Sequence, residues 1–168
     1  MAGLAAAHGP TGPPRPFAER KHNHPAVPTG SHRPTVLVEC DDGAAAFARM
    51  QLLAAAGYQV LWCPGPDGHL VRRCPLINGA ECALVAKADV VVTSLGLARE
   101  AARVVLEAAD ARHPELPVVI ETTDESADAW SSVVDSHRLI PAPASATDLV
   151  SAVNEALASA APIDQIRD

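Results

Sequence analysis

Thr35-Val-Leu-Val-Glu-Cys-Asp-Asp42 is the stretch whose reading decides the fold. Its start, Thr35 to Val38, is almost wholly apolar, as expected of a strand covered on both faces, and it ends in acids. Gly43 to Ala56 follows with helical spacing that places Phe47, Met50, Leu53 and Ala54 on one side, and Gly57 supplies the stop. Tyr58 to Trp62 is a second apolar run. A helix is expected around Gly79 to Lys87, leading into the strand Asp89-Val-Val-Val-Thr-Ser94. Leu97, Ala101, Val104, Val105 and Ala108 form the stripe of an amphipathic helix. Pro117-Val-Val-Ile-Glu-Thr122 is a further strand. A helix from Thr123-Asp124 would bury Ala127, Trp130, Val133 and Val134 before the last strand, Arg138-Leu-Ile-Pro-Ala-Pro143. Ser145-Ala-Thr-Asp148 then reads as a capping box opening a helix with Leu149, Val150, Val153 and Leu157 inward.

Short apolar strands, each followed by a helix, imply an α/β fold with a parallel, doubly wound sheet. Five such units fit the flavodoxin-like order 2-1-3-4-5, with strands beginning near residues 35, 58, 89, 117 and 138. Ligands in that architecture sit at the carboxyl ends of the strands, so chemistry is to be sought there.

The composition narrows the function classes. Among 168 residues the formal net charge is −7, the opposite of what binding a phosphate backbone requires, so no nucleic-acid partner is expected. No apolar run approaches the ~20 residues of a membrane span, and no membrane partner is expected. Met1-Ala-Gly-Leu-Ala-Ala-Ala-His8 lacks the basic region of a secretory signal, which predicts a cytoplasmic protein whose four cysteines are reduced. Residues 1–34 carry seven of the fifteen prolines, four histidines and few large apolar residues, and are expected to form a disordered arm. His22-Asn-His24 reads there as solvated linker sooner than as a metal pair. The domain proper is expected over 35–160, with 161–168 as a short tail. His137 reads as a surface residue sooner than a catalytic one, and no nucleophile–base motif stands out, so no enzyme is expected.

The strand-end residues, together with Asn78-Gly-Ala-Glu-Cys-Ala-Leu84, resemble the receiver domain of two-component response regulators. Receivers carry two adjacent acids after the first strand that hold Mg²⁺. A phosphoryl-accepting Asp follows the third strand, a Ser or Thr the fourth and a Lys-Pro pair the fifth. Counting back from Gly57, the resemblance places Cys40 and Asp41 at the acid pair and Ser94 at the acceptor. Thr122 (or Thr123) takes the hydroxyl position, and Ala142-Pro143 the Lys-Pro position. Three of the five groups are therefore replaced. A serine is a poor acceptor without a base, one carboxylate holds Mg²⁺ weakly, and the lost lysine removes the cation that pairs with phosphate. Glu39 or Asp42 would rescue an acidic site if the alignment shifted by one residue.

What the resemblance implies is a degenerate, phosphorylation-independent pseudo-receiver: a signalling module that binds a protein partner or a second copy of itself. In that family the face of the fourth helix, fifth strand and fifth helix makes such contacts, here including some of Ser132, Asp135, Arg138 and Pro141. A competing reading rests on the cysteines. The insertion Cys63 to Ile77 adds two thiols, and Cys40 and Cys63 close neighbouring strands. Cys40, Cys63, Cys74 and Cys82 converging on that edge would suit Zn or an Fe–S cluster, or a redox disulfide. The irregular gaps, with no Cys-x-x-Cys, instead suit structural thiols, and without that centre no cofactor is expected.

Overall fold

Five short parallel strands form one sheet in the order β2-β1-β3-β4-β5 in the computed structural model, which describes residues 33–66, 74–95, 100–123 and 137–160. The strands are β1 (Thr35–Glu39), β2 (Gln59–Cys63), β3 (Val90–Thr93), β4 (Val118–Thr122) and β5 (Arg138–Pro141). Described helices are α1 (Gly43–Ala55), α2 (Glu100–Arg112) and α3 (Ala146–Ala160). Order and direction match the sequence expectation. All but the last two residues of the arm expected over 1–34, the helix expected after Thr123 and the tail lie outside the described residues.

The three central strands are buried throughout, while β2 and β5, with a partner on one side only, are partly exposed. Because side chains alternate across a strand, the sheet has two separate apolar faces. Val36, Val38, Val92 and Val119 pack against Leu53 of α1 and Leu149 and Val153 of α3. Leu37, Val91, Val118 and Ile120 pack against Val105 and Leu106 of α2 and against Leu76 and Val85 of the segment before β3. Fully burying one Val or Leu contributes about 1.5–3 kcal/mol, so these two layers carry most of the stability.

Three expectations are corrected. The helix expected around Gly79 to Lys87 is replaced by turns and a single 3-10 turn at Val85–Lys87. Asn78 Nδ2 donates to the Cys74 carbonyl at 2.9 Å and Gly79 takes φ 77°, so a side chain and a left-handed residue occupy the hydrogen bonds and geometry a helix would need. Phe47 and Ala54, expected inward on α1, are exposed, Phe47 at 62%; Ala46 faces the core instead, and Leu53 is buried as expected. On α2 the buried stripe is Ala102, Val105, Leu106 and Ala109, turned about one residue from the expected one. The helix end at Gly57 is as expected: it adopts φ 98°, where a Cβ would be strained.

Candidate functional site

The carboxyl ends of β1, β3, β4 and β5 bring the residues expected at the receiver-like pocket to one end of the sheet. β1 and β3 are registered with Glu39 opposite Thr93, and the Ser94 amide donates to the Glu39 carbonyl at 2.9 Å. β4 and β5 are registered with Thr122 opposite Pro141, and the Ala142 amide donates to the Thr122 carbonyl at 2.9 Å. The Ala142–Pro143 peptide bond is cis.

Each expected residue has a definite place there. Cys40 is 2% exposed, lies in the core layer shared with α1 and α3, and donates from Sγ to the Asp42 carbonyl at 3.3 Å. Asp41 is exposed. Asp42 caps α1: its Oδ1 accepts from the Ala44 amide at 2.8 Å and the Ala45 amide at 3.1 Å. That carboxylate oxygen already serves the first turn of the helix. Ser94 Oγ is buried and has no hydrogen-bond partner among the described residues. Thr122 is 8% exposed and its hydroxyl donates to the Thr123 carbonyl at 3.2 Å.

Two acids of this region carry more structure than their spacing announced. Glu121, one residue before the end of β4, has a side chain 1% exposed and faces the α1 layer. Arg49 of α1 grips it with both arms of its guanidinium, Nε to Oε2 at 2.6 Å and Nη2 to Oε1 at 2.7 Å. The same Oε1 accepts from the Ala144 amide at 2.9 Å, just beyond Pro143. Hydrogen bonding to Glu121 raises the Arg49 pKa against the opposing effect of burial. One ion pair thus ties α1, β4 and the β5–α3 loop together. Its signal in the sequence was an arginine three residues after Ala46, on the inward stripe of α1, and a glutamate inside an apolar strand.

Glu39 is the second acid. It lies on the α2 face of the sheet, 7% exposed, and burial pushes its carboxyl from the ordinary 4.5 to about 7, opposed by hydrogen bonding from Thr93. Glu39 is in register with Cys63 on β2, so the two side chains share a face. A pocket of about 320 Å³ is lined by Glu39, Cys63, Cys74 and Cys82, with apolar residues such as Leu84 and Val105. Burial pushes the Cys63 thiol up to about 11, aided by the nearby Glu39 carboxyl and the other two thiols.

The four-thiol convergence is corrected. Cys40 packs in the α1/α3 layer, whereas Cys63, Cys74 and Cys82 pack against the α2 layer. Among the described residues no three or more His, Cys, Asp or Glu side chains are arranged to hold a metal ion. His137, expected at the surface, has a side chain 6% exposed, with Nε2 2.9 Å from Asp110 Oδ2 on α2.

No protein-family model and no curated protein matches the sequence. Solved structures do match the fold. A response regulator receiver domain protein from Clostridium thermocellum is 21% identical, with a TM-score of 0.58, over 75% of this chain and 95% of that one. A CheY-like receiver domain protein from Methanospirillum hungatei is 17% identical, with a TM-score of 0.55, over 77% and 97%. A putative pilus assembly-related protein from Burkholderia pseudomallei is 21% identical, with a TM-score of 0.59, over 77% and 92%. With the observed strand order and parallel pairing, these likenesses identify the fold of the described residues as that of a response-regulator receiver domain.

Proposed function

We propose that this chain is a phosphorylation-independent pseudo-receiver, a signalling module that acts by binding a protein rather than by catalysis. The observation that carries the reading is Ser94. The acceptor position holds a hydroxyl that is buried and unpartnered, with no base or cation arranged on it among the described residues. A serine so placed is a weak nucleophile, and its ester would lack the lability of an acyl phosphate. The surroundings support the same reading. Asp42 is engaged as a helix cap, Cys40 Sγ is in the core, and Arg49 is held by Glu121. A β4 end fixed to α1 by a bidentate pair suits a constitutive partner-binding state better than a phosphate-driven one.

The partner surface we assign to β5 and α3. Leu139 is 37% exposed, and Arg138 and Glu155 form an exposed pair at 2.7 Å beside it. Ser132 and Asp135, expected on the same face, lie outside the described residues. The occupant is a second copy or another protein; the negative charge disfavours nucleic acid. No described helix is long and apolar enough to cross a membrane, and we place the protein in the cytoplasm.

Intact-mass measurement after incubation with acetyl phosphate and Mg²⁺ tests the proposal. The expected outcome is no mass increase. A stoichiometric, hydroxylamine-labile phosphate on an aspartate would overturn it. The thiol-sensor reading gains no support from Cys63, whose raised pKa keeps it protonated and poorly nucleophilic near neutral pH.

A further inference from the structure

The pocket on the α2 face is the feature that the receiver likeness leaves unexplained. It opens because turns replace a helix between Cys74 and Lys87, leaving a gap between the ends of β1 and β2 and Val105 of α2. Gly65 forms part of its wall at φ 72°, where a Cβ would overlap the Leu95 side chain, so the chain passes there without a side chain. At about 320 Å³ the space lies at the small end of ligand pockets. It sits at the carboxyl ends of parallel strands, where open α/β sheets place ligands.

Its lining is chemically unusual. The pocket has a single ionisable carboxyl, Glu39, and that side chain makes no ion pair among the described residues. Among the described residues the other titratable groups lining it are the thiols of Cys63 on β2 and of Cys74 and Cys82 on the turn segment; α2 contributes Val105, and Thr93 of β3 hydrogen-bonds Glu39. Two larger clefts, of about 430 and 510 Å³, lie at the other end of the sheet around His113 and His137; His137 meets Asp110, and His113 Nε2 lies 3.2 Å from Glu81 without a hydrogen bond. Among the described residues no counter-charge faces this desolvated carboxyl, and its apolar, thiol-lined wall suits a cation that arrives with its own apolar body. The net charge of −7 favours the approach of such a molecule.

We propose that this pocket binds a compact apolar amine, whose protonated nitrogen pairs with Glu39 and whose hydrocarbon body rests against Cys63, Cys82, Leu84 and Val105. The site rests on no part of the pseudo-receiver reading, and each stands if the other fails. Binding transfers no atom. It shifts Glu39 to its ionised form, so complex formation below neutral pH releases a proton to solvent.

Benzylamine is the probe, and benzyl alcohol, of the same shape without the charge, is its control. Titration calorimetry of the whole chain and its Glu39→Gln variant, in buffers of differing ionisation enthalpy, reads affinity and proton release together. Saturable benzylamine binding to the native chain is expected, and the variant should weaken it by about tenfold or more while changing benzyl alcohol by less than about threefold. Proton release in the native chain at about pH 6 is the second readout, and it needs no variant. Absence of saturable benzylamine binding overturns the proposal. So does an equal loss of both ligands in the variant, an unchanged benzylamine affinity there, or binding without proton release.

Discussion

Replacing Glu39 by Gln is the perturbation that isolates the buried carboxyl. In the folded chain its pKa stands at about 7, against 4.5 ordinarily, because burial penalises the charged form. The folded state therefore holds its proton over a range where the unfolded state has released it. The stability that the neutral form contributes is fully present below about pH 4.5 and is lost as pH rises through about 7. The full loss is about 3 kcal/mol, of which about 2 kcal/mol falls between about pH 5.5 and 8.5. Against a typical 5–15 kcal/mol of total stability this is a large share. Urea denaturation followed by far-ultraviolet circular dichroism reads it directly. With a slope of about 1.5 kcal/mol per molar urea, the native midpoint should fall by about 1–1.5 M across that window relative to the variant. Groups present in both proteins contribute equally and cancel in the comparison. Glutamine keeps the size of the side chain and its ability to meet Thr93 while removing ionisation. Native and variant midpoints that move in parallel across the window would refute the raised pKa and the burial that causes it.

Two further outcomes test the interior. Arg49→Met leaves Glu121 buried without its partner and should destabilise the chain by about 3 kcal/mol, the lower end for a broken buried pair because Arg49 is partly exposed. Adding Glu121→Leu should restore much of that loss, and a double variant as unstable as the single one would show that the pair itself is not the cause. Cys63, raised to about 11, should react with iodoacetamide at about pH 8 far more slowly than an unhindered thiol of ordinary pKa near 8.5, gaining rate only at strongly alkaline pH. Fast labelling of Cys63 mapped by peptide mass would contradict its burial.

What the sequence determined by itself was the architecture. Parallel strands buried on both faces must be continuous apolar runs, and Val90 to Val92 or Val118 to Ile120 state this locally. The alternation with helical stripes then leaves few topologies, and the observed order is the expected one. That Ser94 and Ala142 stand just past the ends of β3 and β5 was also legible, because strand ends are marked by the switch away from apolar residues. The site was only partly legible, for reasons of register and distance. Cys40 and Glu39 are adjacent in sequence, yet alternation sends one into the α1/α3 layer and the other into the α2 pocket, and the Glu39–Cys63 pairing decides which thiols can meet. The Arg49–Glu121 pair spans 72 residues, so the local pattern marked each residue as out of place but could not pair them. The pocket exists because Asn78 and Gly79 form a turn where helical spacing had suggested a helix. Periodicity is a property of neighbours along the chain, and it fixed the elements. Which side chains share a face, lose water and shift their pKa depends on neighbours across the sheet, and only the tertiary structure supplied those.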